Sequence, residues 1–264
     1  DQIIKLDTSQ ISAIESRDIQ GLTTAQIATM DSVQLSSLTT FQIGALNTAQ
    51  VLVMTPQDIV GLTVDQIAAL NSAQVRALTS FQIPLFNSAQ IAAIETTDLS
   101  GLTTTAIRSI DVSFLTGLTE DQMSAMTSLQ IAAFTVDQII GLNTTQLSAI
   151  ESRDVSGMTT AQVAALDSLQ LSGMLPDQIS ALTTLQGRTI DIASLRGLTT
   201  AQMVALSGAQ LNGMSSMQIA GLSSTQLAAI ETGDLAVFST NDMFGLTTFA
   251  LRAIEAGNLQ GLTT

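Results

Sequence analysis

The chain has no cysteine, no histidine, no tryptophan and no tyrosine. Without histidine or cysteine there is no Ser-His-Asp or Cys-His arrangement, no zinc site of imidazole or thiolate ligands, and no general base of the commonest kind near neutral pH. Carboxylates and a few Lys and Arg are all that remain for catalysis, so no enzyme is expected. The absence of cysteine suits a secreted protein that avoids stray disulfides, and suits a cytosolic one as well. Eight Phe are the whole aromatic complement, which removes the stacking platforms of nucleic-acid binders. Basic residues are scarce too: 8 against 22 acidic ones give a net charge of −14, a surface that repels phosphate backbones and anionic lipid. Nucleic acid is therefore not an expected partner. Long apolar runs are also missing, because Thr, Ser and Gln interrupt every stretch well short of the roughly eighteen residues of a membrane span. Membrane insertion is not expected.

What is present is a period of eight. From Asp7, thirty-two complete octamers run to Leu262 without insertion or deletion, and Asp1 to Leu6 and Thr263-Thr264 are pieces of the same unit. An unbroken short period overrides the two-domain prior that 264 residues would suggest, and predicts one continuous solenoid over 1–264, an elongated rod. Forty-five per cent apolar residues supply it with an aliphatic core. Thr263-Thr264 followed by Asp1-Gln2-Ile3-Ile4-Lys5-Leu6 spells one more octamer. The sequence thus reads as a slice of a longer array, or as a protomer that continues into its neighbour.

Each octamer carries the signals of a helix start. In Thr63-Val64-Asp65-Gln66-Ile67-Ala68-Ala69-Leu70, position one is a residue whose oxygen caps free N–H groups, and it is Thr, Ser, Asp or Asn in 26 of the 32 octamers. Position four is Gln in 21 and Asp in six, which completes a reciprocal capping box. Position five is Ile, Leu, Val or Met everywhere except Gly187, and position eight is always Ile, Leu, Met or Phe. The apolar residue before the cap and the one at position five form a hydrophobic staple. Pro56 and Pro176 both fall at position two, the first helical residue, where a missing N–H costs nothing. Pro84, at position six, predicts a local kink.

Apolar spacings of three and five would place positions five and eight on opposite faces of a strand, but on one face of a helix. One continuous helix is excluded as well, since eight residues advance the apolar stripe by roughly 80° per unit. The prediction is an all-α solenoid of helices about six residues long, too short to be stable alone and held by stacking.

Glycine at position seven recurs at 21, 61, 101, 117, 141, 157, 173, 197 and 213, among other octamers, with steps of two or three octamers between 101 and 213. Two readings are open. In the geometric one, the mean step is a superhelical turn of two and a half octamers, with glycine where backbones pass closely or the corner is tightest. In the other, the rhythm is inherited, since Glu15-Ser16-Arg17-Asp18-Ile19 recurs as Glu151-Ser152-Arg153-Asp154-Val155, the mark of a duplicated block of seventeen octamers.

The most site-like constellations are four acidic boxes, Glu15 with Asp18, Glu95 with Asp98, Glu151 with Asp154, and Glu231 with Asp234. Two carboxylates three positions apart could hold calcium if stacked coils brought two boxes together. The simpler reading is that these acids complement helix N-termini. No cofactor is otherwise implied. Arg108, Arg188 and Arg252, each three positions before Asp111, Asp191 and Glu255, are expected to bridge to those acids.

Units such as Met158 to Leu166 and Leu198 to Leu206 resemble the tandem-repeat stretches of very large secreted bacterial surface proteins, including adhesin-like proteins exported by type I systems. The resemblance runs the length of the chain and carries over no catalytic residue. It implies an extracellular, cell-surface role, structural or adhesive. The leading expectation is a filament or stalk formed by head-to-tail self-association of the solenoid. The alternative is a binding module for a glycan, a partner protein or calcium, its face drawn from positions three and six and including Asp65, Asp121 and Asp137.

Overall fold

The computed structural model describes residues 2–236, which fall into two compact units divided between Phe134 and Thr135. All regular structure among the described residues is short helix, in segments such as Thr40–Ala45, Thr48–Val53 and Thr200–Ala205, with no strand. Each α-helix among the described residues starts where the sequence places it, at position two. In the segment Thr40–Ala45, the Thr39 hydroxyl accepts the N–H of Gln42 at 3.2 Å while Gln42 Oε1 accepts the N–H of Thr39 at 2.7 Å. Pro56 and Pro176 are the first residues of their helices. At Leu175, which has no side-chain acceptor, only half of the box remains: its N–H still reaches Gln178 Oε1 at 2.7 Å. The octamer of Pro84 forms a 3₁₀ segment, Ile83–Leu85, in place of an α-turn.

The helix ends were not legible in the sequence. The position-eight N–H bonds the position-five carbonyl, as Leu46 does to Ile43 at 3.1 Å, and positions eight and one are then both extended. Two consecutive extended residues make the corner, and no described residue has a positive φ. Position seven therefore does not need glycine for its backbone conformation.

Within each unit, the coils stack through position four. Gln74 is buried; its Oε1 accepts the N–H of Asn71 in its own octamer at 2.8 Å. Its Nε2 donates to the carbonyls of Ile43 at 2.7 Å and Leu46 at 2.8 Å, 31 and 28 residues earlier. Gln42, Gln66, Gln82 and Gln122 do the same in the first unit, and Gln170, Gln202, Gln210 and Gln226 in the second. One amide thus satisfies a helix start, which has spare donors, and a helix end one coil away, which has spare acceptors. Contacts recur at about 28 residues, which at eight per octamer is three and a half octamers per coil. The expected two and a half octamers is overturned.

Positions five and eight form the core. Every described position-five side chain is buried, Gly187 apart, and position eight is buried from Met30 onward. Leu6, Ile14 and Leu22 in the first coil are only half-buried, because position eight rests on the coil before it.

Glycine at position seven is a matter of clearance. A Cβ on Gly101, Gly117 or Gly197 would overlap the carbonyl oxygen of Ser72, Ser88 or Ser168 respectively, in each case on the adjacent, earlier coil. The close-pass half of the geometric reading therefore holds, and the corner half does not.

The glutamine ladder has one wide gap. Octamers 95–102, 103–110 and 111–118 carry Asp98, Ala106 and Phe114 at position four, so no glutamine reaches the carbonyls of Ile67, Leu70, Val75, Leu78, Ile83 and Phe86. Two of these octamers are 3₁₀, Leu99–Gly101 and Val112–Gly117. A hydrogen bond from Ser72 Oγ to Asp98 Oδ1 at 2.7 Å crosses the seam instead. Local opening concentrates where few bonds must break. Amides of residues 95–118 are expected to exchange with deuterium faster than those of 63–94; equal protection would show that the ladder does not set local stability.

Candidate functional site

Two of the four acidic boxes are built alike, around an arginine. Arg17 places Nη2 at 2.8 Å from Glu15 and Nε at 3.6 Å from Asp18; Arg153 lies 2.6 Å from Glu151 and 3.3 Å from Asp154. The Arg17 clamp is exposed at all three side chains and worth at most about 1 kcal/mol, whereas in the second clamp Asp154 is buried. Asp98 accepts from Ser72 and, at 3.5 Å, from the Thr97 hydroxyl. Glu231 and Asp234 flank the start of the helix Thr232–Leu235, where Glu231, like Glu15 and Glu151, makes no side-chain cap bond. Boxes in the same unit are ten octamers apart, nearly three coils, so stacking does not bring them together. Among the described residues, no group of three or more acidic side chains is placed to hold a metal.

The expected bridges from Arg108 to Asp111 and from Arg188 to Asp191 do not form. Both acids cap helices instead: Asp111 accepts from the Ser113 hydroxyl at 2.6 Å and N–H at 2.8 Å, and Asp191 accepts from the N–H and hydroxyl of Ser194, both at 2.9 Å. Free N–H groups at a helix start are fixed in place, whereas an exposed guanidinium must be ordered to compete. The pair Arg252 and Glu255 lies outside the described residues.

These caps shift the acids that make them. The Ser113 hydroxyl, then its N–H, holds the Asp111 carboxyl below the usual carboxylate range; the Ser194 N–H, then its hydroxyl, does so for Asp191, and the Ser9 hydroxyl, then the Gln10 N–H, for Asp7. A carboxyl with a depressed folded pKa contributes stability above its unfolded value, about 3.9, and loses it as pH falls through the folded one. The triple variant Asp7→Asn, Asp111→Asn, Asp191→Asn keeps neutral caps. Its urea midpoint should drop less than that of the parent between about pH 5 and pH 3; parallel curves would count against the cap assignment.

Asp65, Asp121 and Asp137 are exposed in the first turns of their helices. A shallow groove of about 240 Å³ lies elsewhere in the first unit, lined by Arg76, Ser100, Thr103, Thr104, Thr127 and Leu129 among others. It is smaller than the roughly 300–1,000 Å³ of ordinary small-molecule pockets.

The residue that sequence reasoning undervalued is glutamine at position four. Its role in the capping box is legible, but the donor half that ties the coils together is not. A signal existed: glutamate completes a capping box equally well, yet no octamer has Glu at position four. Only the amide can accept at one end and donate at the other.

No curated protein matches the chain. The family model of the ALTTAQ repeat matches at residues 11–48, 51–88, 91–128, 147–184, 189–224 and 227–264, which is most of the sequence. The chain belongs to the ALTTAQ repeat family.

Proposed function

We propose that this array is a non-catalytic structural element, a rod that continues end to end as an extracellular filament or as the stalk of a bacterial surface protein. The observation that carries the reading is the repeated coil contact, in which a position-four glutamine such as Gln74 donates to two carbonyls of the coil before it. Gln10 and Gln26 hold Oε1 in their own capping boxes in the same way. Leu6, Ile14 and Leu22 beside them are half-buried. Every interior coil makes the same contact on the coil before it, so coils of this kind add in series with no change of design. A contact between unlike faces repeats without closing and gives a filament.

Electron microscopy of the parent chain at high concentration tests the reading. Strings of end-joined particles are expected. Gln10→Glu with Gln26→Glu should abolish them by setting carboxylates against carbonyl oxygens, with circular dichroism unchanged. Single short particles from the parent would overturn the proposal.

A second reading, an adhesive module for a glycan or surface partner, draws on the groove lined by Arg76 together with Ser100, Thr103, Thr104 and Thr127. Its calcium form is the least supported, given that the acidic boxes stay apart. Adding calcium to the metal-free protein is expected to leave the melting temperature unchanged; a clear rise would restore the boxes as ligands.

A further inference from the structure

Large apolar side chains point outward at several places, and in the first unit they line up. Coil-to-coil contacts in this unit run from the sequence separation of Gly44 and Ala69 at the short end to that of Ile43 and Gln74 at the long end. The pairs Val33 and Val60, Leu52 and Phe81, Leu85 and Val112, and Phe81 and Val112 all have separations within that range. The six side chains therefore occupy one side of four successive coils. They are well exposed, Phe81 at 78 %, Val33 at 62 % and Leu52 at 54 %. Asp58, on the helix that carries Val60, is buried.

We propose that this strip is a lateral docking surface for a second copy of the chain, giving a side-by-side pair. Three arguments select that occupant. The first is area: at roughly 150–250 Å² for an aromatic side chain and somewhat less for Val and Leu, the six expose on the order of 600 Å². That exceeds the apolar share of one face of a standard interface, about 800 Å² per partner, and reaches the top of the range for patches on monomers. The second is charge. Two bodies of −14 repel, and an apolar strip is where they can approach with least cost. The third is pitch, because the ridges repeat at the coil spacing and a second copy presents the same spacing. Such a contact between like faces closes at two.

The pairing adds lateral association to the end-to-end reading but does not depend on it. Sedimentation equilibrium of the full chain, at concentrations below those that give end-joined strings, should resolve a monomer–dimer equilibrium. Leu52→Ser with Phe81→Ser, both exposed and so compatible with folding by circular dichroism, should weaken it about tenfold or more, roughly 1.4 kcal/mol or above. Because the chain has no cysteine, single cysteines report contacts cleanly. Phe81→Cys should form a disulfide dimer on oxidation. Phe41→Cys, also exposed but five octamers away, nearly one and a half coils and so near the opposite side, should not. A monomer at every concentration, or equal cross-linking from both cysteines, overturns the proposal. So does an open-ended series of larger species that survives the double variant, which would instead support end-to-end growth alone.

Discussion

Replacing Gln74 by Glu is expected to destabilise the protein by about 3–5 kcal/mol, more than any surface change, although the two side chains have nearly the same shape. One carboxylate oxygen can still accept the N–H of Asn71. The other faces the carbonyls of Ile43 and Leu46, at the places where Nε2 now donates at 2.7 and 2.8 Å. A buried charge then meets two acceptors and no donor. Gln74→Ala, which leaves one N–H and two carbonyls without their partner, should cost about 2–4 kcal/mol. Acid separates electrostatics from packing. The new carboxyl has a folded pKa raised above its unfolded value, so its protonated form, which can donate, gains stability as pH falls, and the Glu penalty should shrink while the Ala penalty does not. Urea unfolding at neutral and acid pH measures both. A Glu variant as stable as the parent at neutral pH would remove the ladder as the principal tie between coils.

Gly101→Ala should cost about 2–4 kcal/mol, whereas Gly187→Ala should raise stability by about 1 kcal/mol. The same substitution takes opposite signs because the two glycines solve different problems. The Cβ at 101 would overlap the carbonyl oxygen of Ser72 on the adjacent coil, and its next neighbours, the Ser72 carbonyl carbon and the Arg76 nitrogen, lie at 3.1 Å. These are backbone atoms and cannot swing aside, so the coils must separate. The Cβ at 187 meets nothing within 4 Å, and position five is where every other described octamer buries an aliphatic side chain. Alanine there gains helix propensity, and Gly187→Ile should gain about 1 kcal/mol more from burial less side-chain entropy. Thermal melts of the three variants give the test. Equal shifts for Gly101→Ala and Gly187→Ala would show that coil clearance is not what keeps glycine at position seven.

The acidic boxes and the arginine pairs illustrate a limit of local reading. Close spacing along the chain is enough to propose that Arg108 meets Asp111, but not to decide between a guanidinium and the Ser113 N–H when both are within reach. Nor can it say whether Glu15 and Glu95 meet, because ten octamers translate into a position only once the length of a coil is known.

The sequence by itself determined where each helix begins, which two positions form the core, and that Pro56 and Pro176 start helices. All of these depend on contacts within one octamer or its immediate neighbour, and a repeat writes such contacts out in every copy. Tertiary structure alone decided that a coil takes three and a half octamers, that glutamine serves two coils at once, that glycine at position seven makes room, and that Leu52, Phe81 and Val112 fall on one side. The physical reason is that coil length accumulates from small rotations at each corner, set by packing across 28 residues, a separation for which no local signal exists.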